Sequence, residues 1–354
     1  MQIALDLAKK GMHTAKPNPR VGCIVVSENK IVGQGWHRQT GEAHAEAIAL
    51  SEAGDKAKDS TVYSTLEPCT HFGQTPPCVE ALIAAAVGKV VYAMEDPNPV
   101  VSGQSRKILE SAEIEVISGV LSQESKDLNI GFNKRMKYGL PYIRTKIAAS
   151  IDGKTALLNG ESQWISSQQS RDDVQLWRAR SCALVTSIDT VIADDPSLNV
   201  RINDFSDIDQ PTRVILDSQL RIRGDYKILK SPGNVIVYSL QQVHNDPIFE
   251  GMIENTNERD GHVSLESVFR DLAKKEINEV MFECGGTLNG ALLKQNFIDE
   301  IIIYLAPCIL GDQANNMFSL PAISAMSERY NFNLIQVDRT GDDIRVVLRK
   351  ANLV

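Results

Sequence analysis

Short apolar runs alternate with amphipathic stretches along the first 140 residues. Residues 21–26 and 31–35 are apolar and flank the polar turn Ser27-Glu28-Asn29-Lys30, which predicts two strands and a reverse turn. Helical spacing then begins at His44 and runs through Ile48 and Leu50 to a stop at Gly54. Residues 62–64 predict a strand that ends at Glu67-Pro68. Pro76-Pro77 opens a predicted helix over 78–86, closed by Gly88, because proline lacks an N–H that the first helical turn would leave unpaired anyway. Strands follow at 90–94 and 114–117, and a helix at 122–137. Gly139-Leu140-Pro141 breaks that helix, so we place a domain boundary there, giving domains 1–140 and 141–354.

The alternation restarts at Tyr142. Strands are predicted at 142–148, 183–186, 213–216, 235–238, 279–283 and 301–305, with helices at 168–180, 265–274 and 288–295. Residues 331–337 and 344–348 predict a closing antiparallel pair. The polar stretches 203–211 and 241–262 read as loops. Strand–helix alternation in both halves predicts an α/β fold, and in the first half a sandwich.

Composition narrows the class of molecule. A chain of 354 residues can bury two cores. No apolar run approaches the roughly 18 residues that span a bilayer. The first ten residues carry Asp6 inside an apolar stripe with Lys9-Lys10 after it, which predicts an amphipathic helix rather than a signal peptide. Six scattered cysteines, two of them in a metal motif, fit a cytoplasmic protein without a disulfide framework. The net charge of −8 and the lack of any lysine–arginine run argue against a polynucleotide partner. A small anionic substrate needs only one or two arginines.

The strongest chemistry lies at His44-Ala45-Glu46, Pro68-Cys69 and Cys78. One histidine and two cysteines supply three zinc ligands and leave a fourth position open, as a catalytic zinc site requires. A structural site wants four protein ligands, and no other cysteine is near in sequence. Glu46 is not needed as a ligand and is free to move protons, the pattern of zinc deaminases. Both His44 and Cys78 fall at predicted helix starts, where partial positive charge favours thiolate. Eight residues separate the cysteines where most deaminases have two.

That spacing, with Pro17-Asn18-Pro19-Arg20-Val21-Gly22, Gly35-Trp36-His37, Gly41-Glu42-Ala43-His44-Ala45-Glu46, Thr65-Leu66-Glu67-Pro68-Cys69-Thr70-His71, Thr75-Pro76-Pro77-Cys78 and Asp96-Pro97-Asn98-Pro99, resembles the deaminase half of the bifunctional riboflavin-biosynthesis deaminase/reductases. The resemblance implies a cytidine-deaminase-like three-layer α/β/α sandwich with one zinc ion. It also implies that Asn18, His37 and His71 hold a diaminopyrimidinone. The family usually has lysine or arginine at Gln74, so a phosphate contact there is in question.

In the second half, Glu283-Cys284-Gly285-Gly286 leads from a strand into a helix whose backbone N–H groups can cradle a phosphate. It is not the G-x-G-x-x-G fingerprint. The stretches Lys146 to Lys154, Gly160-Glu161-Ser162-Gln163-Trp164-Ile165 and Ala193-Asp194-Asp195-Pro196-Ser197-Leu198 resemble the family's reductase domain, similar in fold to dihydrofolate reductase and dependent on NADPH. The resemblance implies that Ala148, Trp164, Thr190, Asp194, Ser218, Gly285, Gly286, Thr287, Leu288, Asn289, Gly290 and Ala291 line the cofactor. By the same resemblance Lys146, Ser162, Arg178, Leu198, Arg201 and Glu283 line the substrate. Lys146, Asp152 and Glu283 are the candidates to protonate the forming alkoxide. Cys308 stands where the family usually has lysine, with no functional account. The expected activity is deamination of 2,5-diamino-6-(5-phosphoribosylamino)pyrimidin-4(3H)-one, then reduction of the ribosyl group to ribityl. The partners expected are small phosphorylated pyrimidines and a second copy of the chain, with no membrane. The alternative is a deaminase whose second half is only an oligomerisation scaffold. A polynucleotide deaminase and a structural zinc module rank lower.

Overall fold

The computed structural model describes residues 1–70, 72, 76–98, 102–202, 208–241, 249 and 251–351, and divides into two compact units, Met1–Leu140 and Pro141–Val354. His71 and Gln74, and residues 203–207 and 242–248 of the expected loops, lie outside the described residues.

In the first unit the elements run α1 (Gln2–Lys9), β1 (Gly22–Ser27), β2 (Lys30–Trp36), α2 (Ala45–Ala53), β3 (Thr61–Ser64), α3 (Cys78–Ala84), β4 (Lys89–Tyr92), α4 (Gln104–Ser111), β5 (Glu115–Ser118), α5 (Ser122–Leu128) and α6 (Ile130–Tyr138). The sheet order is β2-β1-β3-β4-β5, with β1 antiparallel to β2 and β3 and the rest parallel. The apolar positions of α2 and α3 (Ala45, Ala49, Val79, Leu82) share a core with Cys23, Val25, Val62 and Val90 of the strands. Leu5 and Ala8 of α1 pack with Leu128 of α5 in a separate cluster, which completes a three-layer α/β/α sandwich. Glycine sets the tight spacing of α2 on the sheet: a Cβ on Gly35 would lie 2.4 Å from the Ala45 carbonyl oxygen.

Two expectations need correction here. Helix α4 was not predicted, because its only large apolar residues are Ile108 and Leu109. The single helix expected over 122–137 is two, broken at Asn129. The Asn129 side chain accepts from the Arg20 N–H at 2.8 Å and donates to the Arg20 carbonyl at 3.0 Å, while the Arg20 guanidinium donates to the Leu128 carbonyl at 2.8 Å. The chain bends where this clamp forms.

The second unit runs β6 (Tyr142–Ser150), β7 (Lys154–Ala156), α7 (Gln168–Arg180), β8 (Ala183–Ser187), α8 (Ile188–Asp194), β9 (Thr212–Leu216), α9 (Lys227–Lys230), β10 (Val235–Ser239), β11 (Ile253–Asn255), β12 (Glu258–Arg259), β13 (His262–Val263), α10 (Leu265–Lys274), β14 (Glu279–Phe282), α11 (Gly286–Lys294), β15 (Glu300–Ala306), β16 (Asn315–Asn316), β17 (Phe332–Thr340) and β18 (Asp343–Lys350). Its nine-stranded sheet has the order β11-β10-β9-β8-β14-β6-β15-β18-β17. All pairings from β11 to β15 are parallel, and the predicted closing pair β17–β18 is antiparallel. The stretch 241–262, read as a loop, contains β11, β12 and the start of β13. These strands are two or three residues long, too short to show an alternating pattern.

Side chains two apart on a strand share a face. Arg144 and Lys146 of β6 therefore point the same way, beside Glu279 and Glu283 at the two ends of β14, and α7 covers them with Arg178 and Arg180. Arg144 is buried between Glu279 and Glu300, and Arg180 reaches Glu279 at 3.0 Å. Arg144, Glu279 and Glu300 are closed off from solvent, with Arg180 at the margin of this inner cluster. The outer one, with Glu283, opens into a cleft at the carboxyl ends of the parallel strands, where α/β sheets bind ligands.

Candidate active sites

In the first unit, three potential ligands converge from three elements. His44 is the residue before α2, one position short of the expected helical turn, Cys69 follows β3, and Cys78 is the first residue of α3. Their ligand atoms all lie within 4.8 Å of one another. His44 Nδ1 is 3.2 Å from Cys78 Sγ and 3.5 Å from Cys69 Sγ. Zinc with ordinary Zn–S and Zn–N bond lengths would place such atoms about 3.6 Å apart in a tetrahedron. The donor set fits zinc in both chemistry and spacing. Among the described residues no other group of His, Cys, Asp or Glu converges in this way.

Electrostatics agrees with the ligand role. A hydrogen bond from the Cys78 thiol, helped by His44 and the Cys78 N–H, holds the Cys69 thiol down at about 4 against the effect of burial. Cys78 moves up as the proton-carrying partner of that bond, with burial adding to the rise. Glu46 is buried, which raises its carboxyl above the ordinary range. Ser64 Oγ, at the end of β3, donates to Glu46 Oε1 at 2.8 Å, which leaves Oε2 facing Cys78 Sγ at 3.4 Å. One carboxylate oxygen is anchored and the other is aimed at the ligand set. The sequence reading missed Ser64, since a strand-end serine carries no distinguishing pattern.

Asn18 and His37 meet at this site: Asn18 Nδ2 is 3.1 Å from His37 Nε2, and the His37 ring stands edge-on to His44 with centroids 5.6 Å apart. His37 is 3% exposed, a buried residue and not a surface one. Burial lowers its pKa, which favours the neutral ring.

The second unit holds a cleft of about 1730 Å³. It is larger than the usual small-molecule pocket and has room for a dinucleotide and a second ligand together. Lys146, Ala148, Ser162, Trp164, Arg178, Thr190, Asp194, Leu198, Arg201, Ser218, Glu283, Gly285, Gly286, Thr287, Leu288 and Ala291 all line it. Asn289 and Gly290, grouped with them from the sequence, do not. Asn289 is buried, accepts from Thr145 Oγ1 at 2.6 Å and donates to the Met317 carbonyl at 3.3 Å. A Cβ on Gly290 would meet the Ser319 carbonyl oxygen at 2.1 Å. Their turn of α11 faces inward and docks the helix.

The charged centre of the cleft is a triad. Arg178 grips Glu283 with two hydrogen bonds, 2.6 and 3.0 Å, so it is no solvated helix charge, and Lys146 Nζ is 3.7 Å from the same carboxylate. Burial alone would push Glu283 up, but Arg178 and then Lys146 hold it at about 2. Burial lowers Lys146, with Glu283 opposing. Arg201 stands at the edge, its backbone N–H fixed by Gln175 at 2.9 Å and its guanidinium on Asn199 at 2.7 Å. Trp164 is exposed, with the Arg171 guanidinium 4.6 Å above its ring. Asp152 is not part of the cleft lining. It accepts from Ser150 Oγ at 2.5 Å and from the Gly311 and Leu310 N–H groups at 2.8 and 3.1 Å, and serves to fix a turn. Gln175, Asp189, Arg221, Arg259 and Lys294 also line the cleft and were not anticipated.

Known proteins resemble this chain over nearly its whole length. Residues 1–94 match the family model of the cytidine and deoxycytidylate deaminase zinc-binding region, and residues 141–346 match that of the RibD C-terminal domain. The riboflavin biosynthesis protein RibD of Escherichia coli K12 is 43% identical over 97% of this chain and 96% of its own. Acinetobacter baumannii RibD superposes with a TM-score of 0.93 at 42% identity, covering 99% of this chain and 98% of the other. A Thermotoga maritima protein described as a diaminohydroxyphosphoribosylaminopyrimidine deaminase/5-amino-6-(5-phosphoribosylamino)uracil reductase superposes at 0.88, with 31% identity over 99% of this chain and 97% of that one. The chain therefore belongs to the RibD family: it is a bifunctional riboflavin-biosynthesis protein, a zinc-binding deaminase domain followed by a reductase domain.

Proposed function

We propose that the first unit deaminates 2,5-diamino-6-(5-phosphoribosylamino)pyrimidin-4(3H)-one and that the second reduces the deaminated product to its ribityl form with NADPH. The observation that carries this reading is the pairing of an open three-ligand set beside a buried, half-anchored glutamate with a separate cleft built around Lys146, Arg178 and Glu283.

In the deaminase, His44, Cys69 and Cys78 would hold zinc, which supplies a Lewis acid that makes water nucleophilic near neutral pH. Glu46 takes the proton of the attacking water on Oε2 and delivers it to the departing amino group, which leaves as ammonia. Its raised pKa suits a group that must both accept and release a proton. Ser64 keeps the carboxylate from rotating during that transfer, and Asn18 and His37 orient the ring.

In the reductase, NADPH supplies the hydride, and the protein supplies orientation and a proton. Glu283 stays ionised at cellular pH and so cannot donate that proton. Asp152 is not among the residues that line the cleft. Lys146 remains, a buried ammonium beside a carboxylate, placed to protonate the forming alkoxide while Glu283 and Arg178 fix its position. Arg201 would take the substrate phosphate.

The substrates are small molecules of the kind named for the Thermotoga relative, and the acidic balance leaves little to attract nucleic acid. Among the described residues no helix is long and apolar enough to cross a membrane. Self-association is supported by the edge hairpin β17–β18, where Leu334, Val337 and Ile344 are 62%, 53% and 43% exposed. The direct test follows both products from purified protein and the diaminopyrimidinone, with and without NADPH. The deaminated compound should accumulate without NADPH and give way to the ribityl compound with it. Deamination with no reduction at any NADPH concentration would leave the second half as a scaffold.

A further inference from the structure

The cleft is also lined by groups that play no part in the proposed chemistry. The hairpin β12–β13 turns through Asp260 and Gly261, with φ of 54° and 78°. Asp260 tolerates this region better than most side chains and Gly261 enters it freely, the pairing that two-residue hairpin turns favour. One tie fixes the hairpin to the sheet: the Val263 N–H donates to Ser218 Oγ at 3.0 Å. A second runs from the Arg259 guanidinium to Gln295 Oε1 at 3.2 Å, just past the C-terminal end of α11. Arg259, Ser218 and Lys294 all line the cleft; Arg259 and Lys294 lie by the C-terminal end of α11, whereas Glu283 lies just before its N-terminal end.

The cations of this region are not equivalent. Arg221 lies 2.5 Å from the Asp189 carboxylate and Lys227 lies 3.3 Å from Asp195, so both are neutralised where they stand. Arg259 has a neutral amide as its hydrogen-bond partner, with the carboxylate of Asp260 no nearer than 3.9 Å. Glu258, the other acid of the hairpin, accepts from the Gly261 N–H at 3.2 Å. Among the described residues Lys294 forms no ion pair. Ser218 uses a lone pair toward Val263, which leaves its hydroxyl proton to donate. A guanidinium and a hydroxyl donor lining the same cleft suit a phosphate monoester.

The position of Lys146, the proton donor of the proposed reduction, sets which way a dinucleotide would lie. The hydride leaves from the nicotinamide, so that ring belongs beside Lys146 and Glu283, and the adenosine half falls toward the hairpin. The one group that separates NADPH from NADH, the 2′-phosphate, sits on that half. We propose that Arg259, assisted by Ser218, binds the 2′-phosphate, so that the β12–β13 hairpin selects NADPH over NADH; this rests on the reductase reading of the cleft.

The test is direct binding by calorimetry of NADPH and NADH to the full chain and to its Arg259→Ala and Arg259→Glu forms. Arg259 is exposed, so neither substitution disturbs a core. The Kd for NADPH should rise about tenfold with alanine, the loss expected for one charge-assisted hydrogen bond, and further with glutamate. The Kd for NADH should stay within about twofold. Equal weakening of both cofactors, or an unchanged Kd for NADPH, would overturn the hairpin assignment while wild-type binding left the reductase reading standing. Failure of the wild-type chain to bind either cofactor would remove both.

Discussion

The two sites of this chain are assembled in different ways. The deaminase centre draws His44, Glu46, Cys69 and Cys78 from 35 consecutive positions, and two of the three ligands sit at helix starts. The reductase cleft takes its central triad from Lys146, Arg178 and Glu283, with the last two 105 positions apart. The first site depends on local turns, the second on the order of strands in a sheet. A local site can be read from spacing; a topological one shows only in the folded unit. Their failure modes should differ in the same sense.

Removing a ligand is the most severe way to probe the local site. Cys78→Ser should reduce bound zinc from about one ion per chain to near zero, measured by elemental analysis, and abolish deamination. Full zinc retention would mean that the ligand set is wrong. Glu46→Gln removes the proton carrier and keeps the ligands. Deamination should fall by roughly 10²–10⁴-fold with zinc content unchanged, and reduction of supplied deaminated intermediate should continue. Loss of both activities in a folded variant would erase the distinction between the sites.

The topological site should answer to pH through stability. Glu283 has a folded pKa of about 2 against an ordinary 4.5, so ionisation favours the folded state. The contribution, on the order of 3 kcal/mol, is fully present above about pH 4.5 and is lost as pH falls through about 2. Glu283→Gln should therefore destabilise the second unit most near neutrality, and the gap to wild type should close between pH 4.5 and 2 in urea unfolding. A gap that does not vary with pH would mean that Glu283 acts by packing alone. Arg201→Lys is the mildest probe. It keeps the charge and loses the fork, so the phosphorylated intermediate should bind about 1.5–3 kcal/mol more weakly while its dephosphorylated analogue and NADPH change little. Equal impairment of both substrates would assign Arg201 to the fold.

Legibility followed the same division. The bounds read for α7 and α10 match to the residue, and in the fold each helix begins at a serine, Ser167 or Ser264, whose side chain caps it. The convergence of His44, Cys69 and Cys78 beside Glu46 is foreshadowed by their spacing and chemistry in the sequence. The sequence could not show that Arg178 would face Glu283 while Arg180, two residues on, would serve the sealed cluster around Glu279. Both are arginines in the last turn of one helix, and only the folded sheet decides which glutamate each one meets. Asn289 and Gly290 were misplaced for a related reason: a motif names consecutive residues, but a helix turns every second or third one away from the ligand. The hairpin carrying Arg259 was passed over as polar loop, since two-residue strands have no period to detect.

The Asn129 clamp also bears on how far this deaminase can be carried to other proteins. The recognised zinc-binding region ends at residue 94, yet the loop that presents Asn18 is tied through Arg20 to Leu128 and Asn129. A graft cut at the edge of the metal motif would keep His44, Cys69 and Cys78 but lose the ties that hold the Asn18 loop in place. The transplantable module is the whole of Met1–Leu140, with its last two helices acting as a buckle for its first catalytic loop.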